Sequence, residues 1–259
     1  MPQKRLLTEE ALRDAIRLKG EVDSFEIDAD TIVTPAARTF LADRRIRLVT
    51  RSCCETPASA PATETAACAD ADGPTFVLEG LGVTVREKPE NYTHLRGNLL
   101  VPKTDARIRF RGKLDSLEST ILIVQARLAA KNATALLRDL DELLAVVRTI
   151  LRAEVLDVPL EPFALMGMTE ERIREISHDP KGALGIGHFM PDRSMGEDMA
   201  HLNLLRTEVR AAELAACDAF CGREPGRGDI IRSMNRLSSA VYVMMCRLKS
   251  GAFYGNGGR

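Results

Sequence analysis

The sequence predicts a mainly α protein, an antiparallel five-helix bundle with a small N-terminal α/β appendage. Between residues 114 and 249, apolar residues recur at three- and four-residue spacing, which is the pattern of amphipathic helices. The turn at 222–228, which contains Gly and Pro, joins the last two helices, and so short a connection makes neighbouring helices antiparallel. Residues 51–74 carry too little apolar bulk to pack, so they separate the bundle from a small module before them.

The chain therefore divides into three predicted parts: a small N-terminal α/β module at 1–50, a flexible linker at 51–74 and the helical bundle at 75–259. In the first part we predict a helix at 8–18 capped by Thr8, a helix that starts at Thr34-Pro35, and strands at 25–28 and 46–49. After a short region at 76–85, the chain is predicted to be helical almost to its end.

Five helices are predicted in the third part, at 114–130, 134–156, 169–177, 196–220 and 229–249. Thr134, Thr169 and Asp229 stand where a side-chain oxygen can cap the first turn of a helix. The repeated apolar spacing within each segment predicts that all five pack around one core.

Composition excludes several classes of function. The chain has 36 basic and 37 acidic residues, so we expect no general attraction to nucleic acid or anionic lipid. Trp is absent and other aromatic residues are few, which argues against a base-stacking surface. No apolar run is long enough to span a bilayer, and the charged N-terminus does not resemble a signal peptide. We expect no nucleic-acid or membrane partner, and a cytoplasmic location or a compartment loaded from the cytoplasm.

The six cysteines form no C-x-x-C pair. Cys217 and Cys221 are four residues apart in a predicted helix and could form a ligand pair, although reduced thiols are the commoner explanation. Cys53 and Cys54 lie in the predicted linker, where no histidine is near. The cysteines alone therefore predict no metal site.

Polar side chains at helical spacing mark the last two helices. These residues are Asn203, Arg206, Arg210 and Glu213, then Asn235, Ser238, Ser239 and Tyr242. Separations of three and four residues place each set on one stripe of its helix. Polar groups on a largely apolar helix need a partner or a ligand. The alternative is a solvated charged face on the first helix and a few satisfied core polar groups on the second.

Four motifs, in the same order along the chain, resemble those of the propanediol-utilisation-type ATP:corrinoid adenosyltransferases. They are Lys103 to Asp115, similar to K-x-D-x-R…G-x-x-D-E; His188 to Pro191, in the place of F-x-L-P-G; Arg206 to Glu213, similar to R-x-x-x-R-x-x-E; and Asn235 to Ser239, similar to N-R-L-S-D. Thr-His-Leu at 93–95, Ser239 in place of Asp, and Thr-Pro-x-Ala-Arg at 34–38 are shared with the ethanolamine-utilisation branch, the EutT type. The likeness covers most of the chain and is best between residues 92 and 249.

The resemblance implies an enzyme that transfers the 5′-deoxyadenosyl group of ATP to Co(I) cobalamin and releases triphosphate, with Mg²⁺ on the phosphates. It implies ATP-binding roles for Thr93, His94, Arg96, Lys103, Glu213 and Asn235, and catalytic roles for Arg206, Arg210 and Asp115. Asp115 would pair with an arginine of the Arg206 helix across a subunit boundary. Individually, Arg96 and Lys103 could be surface cations, and Asp115 could be a helix N-cap.

The resemblance also implies that Phe189 and Met190 pack against the lower face of the corrinoid. Removing the lower axial ligand in this way makes Co(II) easier to reduce. Phe189 could instead belong to the core. His94 and His188 flank the implied site, as phosphate donors or as structural residues, because adenosyl transfer requires no proton abstraction.

Two departures from the family pattern bear on cofactors. Val77, Leu78 and Leu81 stand where many members of the branch carry the thiols of an H-x-x-x-C-C-x-x-C metal motif, which argues against zinc or ferrous iron. The cysteines at 53, 54 and 68 could replace those thiols only if the linker folded back. The Gly-rich phosphate loop of the propanediol type is also replaced, here by residues 92–98.

The resemblance implies partners as well. The family builds its ATP site between subunits, so a homo-oligomer, dimer or trimer, is expected. A B12-dependent ammonia-lyase and the proteins of a bacterial microcompartment are implied partners, with the N-terminal module as an anchor. The alternative function is a non-catalytic corrinoid-binding or microcompartment scaffold protein, which would tolerate the loss of Arg206 and Arg210.

Overall fold

The structure is a computed structural model that describes residues 5–253, except 11, 14–15, 17–23, 29–30, 45, 52–74, 81–82, 132 and 223–225. The predicted linker, with Cys53, Cys54 and Cys68, lies outside the described residues, as does Leu81. Of the helix predicted at 8–18, residues 9, 10, 12, 13 and 16 are described and are helical. The chain folds as two compact units, Met1–Lys103 and Thr104–Arg259.

The first unit consists of short strands and one regular helix. Its elements are β1 (Arg5–Leu7), β2 (Ser24–Asp28), β3 (Thr31–Val33), α1 (Pro35–Asp43), β4 (Arg47–Arg51), β5 (Phe76–Leu78), β6 (Val83–Val85), β7 (Tyr92–Arg96) and β8 (Leu99–Pro102). Strand β1 pairs in parallel with β3, and β2 in parallel with β4. Helix α1 begins at Pro35 as predicted, because the hydroxyl of Thr34 accepts a hydrogen bond from the Ala37 N–H.

The last four strands form one sheet in the order β6-β5-β8-β7, in which β5 and β8 are parallel and the other pairs antiparallel. Leu78, Val83 and Leu100 from this sheet share a buried cluster with Phe25 and Phe40. By packing, residues 76–102 therefore belong with the residues before the linker, which differs from the predicted division at residue 75.

Strands β7 and β8 were not predicted, since the sequence analysis expected no strand after residue 85. They are joined by Gly97, whose φ is +49°, and Asn98. A Gly-Asn pair between two apolar runs is a hairpin signal, because glycine adopts positive φ without steric cost. The turn residues Gly97 and Asn98 therefore favour a hairpin, which the prediction of helix after residue 85 overlooked.

The second unit is helical. Its helices are α2 (Ala106–Ala129), α3 (Thr134–Leu156), α4 (Glu170–His178), α5 (Pro180–Leu184), α6 (Gly196–Phe220) and α7 (Gly228–Lys249), with a two-residue strand pair, β9 (Ala164–Leu165) and β10 (Met168–Thr169), before α4. Helix α6 packs against α2 and α7, while α3 packs on α2 and α4 packs on α7. The prediction of a mainly α bundle with a small N-terminal α/β appendage is confirmed. None of the helices that the structure describes is both long and apolar enough to cross a membrane.

Helix α2 corrects one prediction, because it begins at Ala106 and not at residue 114. The carboxylate of Asp105 accepts a hydrogen bond from the Arg107 N–H at 2.8 Å and so caps the first turn. Phe110, Leu114 and Leu117 then bury one side of the helix. This packing offsets the cost of about 1 kcal/mol that Gly112 imposes inside a helix. Asp115 lies within the helix, so the N-cap alternative for Asp115 was wrong.

Of the three other predicted caps, one is confirmed and two are not. Thr169 caps α4, since its hydroxyl accepts from the Arg172 N–H. Thr134 is the first residue of α3, and Ala133 occupies the N-cap position before it. Asp229 lies in the first turn of α7, where its carboxylate accepts from the Leu160 N–H at 2.9 Å and so ties the loop before α4 to α7. Helix α5 was not predicted; Pro180, which reads as a break, occupies its first turn.

Candidate functional site

Helices α6 and α7 lie side by side and carry the two polar stripes. Arg206 is partly buried, and its Nε and Nη2 donate to Oδ1 of Asn203 at 3.4 and 3.2 Å. Asn203 lies one turn earlier on the same helix, so the amide holds the guanidinium against the helix surface. No hydrogen bond within the described residues occupies the other donors of the guanidinium, so they can bind a neighbouring group.

An amide bridge links the two helices. Nδ2 of Asn235 on α7 donates to Oε1 of Glu213 on α6 at 2.7 Å, and Nη1 of Arg236 donates to Oδ1 of Asn235 at 2.9 Å. Each end of the Asn235 amide therefore has its own partner, and these partners fix the orientation of the amide. Carboxylate, amide and guanidinium form one bonded row across α6 and α7.

A cavity of about 320 Å³ lies beside this row. It is lined by Ser177, His178, His188, Arg206, Ser238, Ser239 and Tyr242. Three hydroxyl-bearing side chains from α7, two imidazoles and one guanidinium offer both donors and acceptors to a ligand. Arg206 belongs to both the polar stripe and the cavity, so one arginine connects the two.

The segment 185–192 forms one wall of this region. The Phe189 ring stacks on the Tyr242 ring with centroids 6.1 Å apart, and Nζ of Lys249 lies 4.1 Å from the Phe189 centroid. Phe189 is partly buried against the core of the bundle, whereas Met190 is 86% exposed. Of the two predicted lower-face residues, one is thus packed on α7 and the other extends into solvent.

Arg210 and Asp115 are both exposed in the single chain. Arg210 lies between Arg206 and Glu213 on α6, as the spacing predicted. Among the described residues of one chain, the Arg206 guanidinium bonds to Asn203, and no ion pair joins it to Asp115. The predicted pairing crosses a subunit boundary and stays a prediction.

The other four predicted ATP-binding residues belong to the first unit. On β7, His94 and Arg96 are exposed while Leu95 between them is buried. A register shift between His94 and Arg96 breaks the pairing with β8 at this point, and such bulges redirect side chains. Thr93 precedes them on the strand, and Lys103 is exposed just after β8. Their ATP-binding roles stay predictions.

Burial and neighbouring groups set the protonation of the Tyr242 region. Burial raises the pKa of the Tyr242 hydroxyl, and the Cys246 thiol beside it raises that pKa further. Burial likewise raises the pKa of the Cys246 thiol. Both groups therefore remain protonated at neutral pH and act as neutral hydrogen-bonding groups.

The described part of the chain contains no group of three His, Cys, Asp or Glu side chains arranged to hold a metal ion. Leu78, at one of the positions where relatives of the branch would carry thiols, is fully buried in the first unit. Cys217, Cys221 and Cys246 are free thiols.

Sequence reasoning missed two groups near the site. His178 lines the cavity from the end of α4, and no spacing pattern connects it to α6 or α7. Arg236 stands inside the Asn235 to Ser239 motif, but the motif alone predicted no role for this side chain. Its place beside Asn235 in that motif was the signal available.

The fold and this site define a class. Residues 83–248 match a family described as Cobalamin adenosyltransferase. The chain is also 34% identical over 246 residues to a protein of Salmonella typhimurium named Corrinoid adenosyltransferase EutT, covering 92% of this chain and 90% of that protein. A protein of Escherichia coli with the same name is 34% identical over 249 residues, covering 93% and 91%. No solved structure gives a match. The chain therefore belongs to the cobalamin adenosyltransferase family, as its motifs indicated.

Proposed function

We propose that the protein transfers the 5′-deoxyadenosyl group of ATP to Co(I) of a corrinoid and releases triphosphate. The observation that carries the proposal is the bonded row of Glu213, Asn235 and Arg236 beside Arg206 and its cavity, in a chain of this family. The row combines cationic donors with an oriented amide, which suits a nucleotide.

The chemical difficulty lies in the leaving group. The Co(I) lone pair attacks the 5′ carbon, the bond from that carbon to the phosphate oxygen breaks, and triphosphate leaves with the bonding electrons. Arg206 and Arg210 are proposed to hold this growing negative charge, since guanidinium donors strengthen as charge develops. No proton is transferred, so none of the histidines needs a general-base role.

Asn235 is proposed to contact the ribose or adenine. An amide both donates and accepts, and its bonds to Glu213 and Arg236 set it in one orientation before a ligand arrives. Thr93, His94, Arg96 and Lys103 retain the ATP-binding role that the resemblance implies. Mg²⁺ is proposed to be held by phosphate oxygens, because the described residues offer no three-ligand site of their own.

Phe189 and Met190 are proposed to contact the corrinoid. A corrinoid ring is far larger than a 320 Å³ cavity, so only part of the ligand can enter it. Met190 exposes its thioether to solvent, and a large apolar ligand face would cover it. The partly buried Phe189 ring offers a flat apolar surface for the same purpose.

The wider assignments follow the family resemblance. We propose a homo-oligomer that serves ethanolamine utilisation, with a B12-dependent ammonia-lyase and microcompartment proteins as partners. Exposed apolar side chains on the packed helices α2 and α6, namely Leu122, Ile123, Leu204 and Leu214, support self-association. No observation on the described residues favours the scaffold alternative.

Adenosyl transfer can be tested directly. The protein is incubated anaerobically with Mg-ATP and chemically reduced cobalamin, and the loss of Co(I) absorbance and the release of triphosphate are followed. We expect turnover in the wild type and a fall of about 100-fold in Arg210→Ala, the scale of losing one donor to a developing anion. Arg152→Ala, an exposed arginine on α3, is the matched control. A wild type that stays inactive even with zinc or ferrous iron would contradict the proposal.

A further inference from the structure

Tyr242 on α7 contacts two adjacent residues of the segment 185–192. Nδ1 of His188 lies 2.9 Å from the Tyr242 hydroxyl, and the two rings are nearly parallel, 5.9 Å apart at 11°. The Phe189 ring stacks on the Tyr242 ring, with the centroids 6.1 Å apart. The thiol of Cys246, one turn further along α7, is the third neighbour of Tyr242.

The rest of the segment has few other attachments. At its two ends, Gly185 and Ile186 hydrogen bond back to α5, and Asp192 caps the turn at Arg193–Met195. Between these anchors, in the part of the chain that the structure describes, the one hydrogen bond of residues 187–191 joins His188 to Tyr242. Gly185 has a φ of +70°, so the backbone at that end adopts a conformation that disfavours other residues.

We propose that Tyr242 is a positioning residue, whose hydroxyl holds Phe189 in place by bonding to the neighbouring His188. The inference rests on the proposed function, in which Phe189 contacts the corrinoid. The hydrogen bond to His188 and the ring contact to Phe189 act on adjacent residues, so together they restrain the peptide that carries the Phe189 ring. An unrestrained loop would have to order itself each time the corrinoid binds, which lowers affinity.

The ring and the hydroxyl of Tyr242 can be separated experimentally. Tyr242→Phe keeps the aromatic face on which Phe189 stacks and removes only the oxygen. Thr149→Val is the matched control, because among the described residues this hydroxyl on α3 bonds to the Ala145 carbonyl of its own helix and to no other group. If the oxygen had a purely structural role, its removal would lower stability and would not change the KM for one substrate more than the KM for the other.

The first measurement is 15N relaxation of the His188 and Phe189 backbone amides, which needs no activity. We expect their order parameters to fall from about 0.85, typical of rigid backbone, to below about 0.6 in Tyr242→Phe. Global unfolding and the order parameters of α6 and α7 should be unchanged, and Thr149→Val should match the wild type. Unchanged order parameters at His188 and Phe189 would overturn the inference even if the enzyme is active.

The second measurement is kinetic. In Tyr242→Phe we expect the KM for corrinoid to rise about tenfold with the KM for ATP unchanged, and in a Phe189→Ala background the same substitution should have no further effect. Additive effects in the double variant would show that the hydroxyl acts elsewhere, and would overturn the inference. An inactive wild type would refute the proposed function alone, because the relaxation measurement still decides whether Tyr242 holds the loop.

Discussion

Two acidic side chains illustrate how single residues behave in the bundle. Glu213 accepts from an amide at the surface between α6 and α7, and Asp139 lies buried on α3, where its Oδ2 accepts from Nη1 of Arg247 at 2.8 Å. Each carboxylate depends on one partner from α7. A substitution at either partner or carboxylate therefore has a consequence that can be derived from charge alone.

Asn235→Asp should place two carboxylates in contact. Where the amide now donates to Glu213 at 2.7 Å, two negative charges would face each other and raise the pKa of one of them. We expect a fall of about 100-fold in kcat/KM at neutral pH, on the scale of losing one catalytic hydrogen bond. The shared proton is bound as pH falls, so the activity relative to wild type should recover at low pH. A loss that does not vary with pH would contradict this.

Asp139 should make stability depend on pH in the opposite sense to an ordinary exposed ion pair. Burial raises the pKa of this carboxyl above its ordinary value, and the Arg247 guanidinium offsets only part of the effect. The folded state then binds more protons than the unfolded state between the two pKa values, so unfolding free energy falls as pH rises through that window. We expect the difference in unfolding free energy between wild type and Asp139→Asn, measured with urea, to decline in this way as pH rises. A difference that grows with pH would contradict it.

Among the elements, α2 shows most clearly where local patterns mislead. Its first turns read Ala-Arg-Ile-Arg-Phe-Arg, which alternates as a strand does, and Gly112 follows at once. Packing of Phe110 and Leu114 in the core, with Asp105 as the cap, makes the segment helical. In the later helices α3, α6 and α7, helical periodicity was sufficient to predict the bounds, because no strand-like pattern interrupts it.

The cap on α2 can be tested by substitution. Asp105 accepts from the Arg107 N–H, and its carboxylate also pairs with the Arg107 guanidinium at 3.0 Å. Asp105→Ala should destabilise the protein by about 1 to 2 kcal/mol, the usual cost of losing an N-cap. Thr169→Ala, which removes the cap of the shorter helix α4, is the comparison. Thermal and urea unfolding measure both, and an unchanged midpoint for Asp105→Ala would show that the cap contributes nothing.

At the scale of the whole molecule, the exposed apolar residues of α2 and α6 point to a second copy. A groove of about 390 Å³ runs between these helices and is lined by Gly112, Ser116, Ala211 and Leu214 among others. Asp115 is exposed on the same helix α2, one residue before Ser116. If subunits associate here, Asp115 is close to the boundary that its predicted pairing with an arginine requires.

Self-association through this face is testable. Leu122→Asp combined with Leu214→Asp places two charges in an apolar contact, which is strongly unfavourable. We expect the mass in light scattering to fall to that of a single 28.4 kDa chain, with loss of adenosyl transfer and an unchanged helical circular dichroism spectrum. Leu156→Asp, an exposed leucine at the end of α3, is the control. An oligomer that survives the double substitution would place the interface elsewhere.

The sequence by itself determined the mainly α architecture, the bounds of α3, α6 and α7 to within a residue, and the polar stripes. Those features depend on helical periodicity, which is local. Four ordered motifs also determined the family. Tertiary structure alone decided what the stripes bind to within the chain: Glu213 to Asn235, and Tyr242 to His188. It also decided that residues 76–102 pack with the N-terminal strands, because such contacts join residues distant in sequence, and no local spacing encodes them.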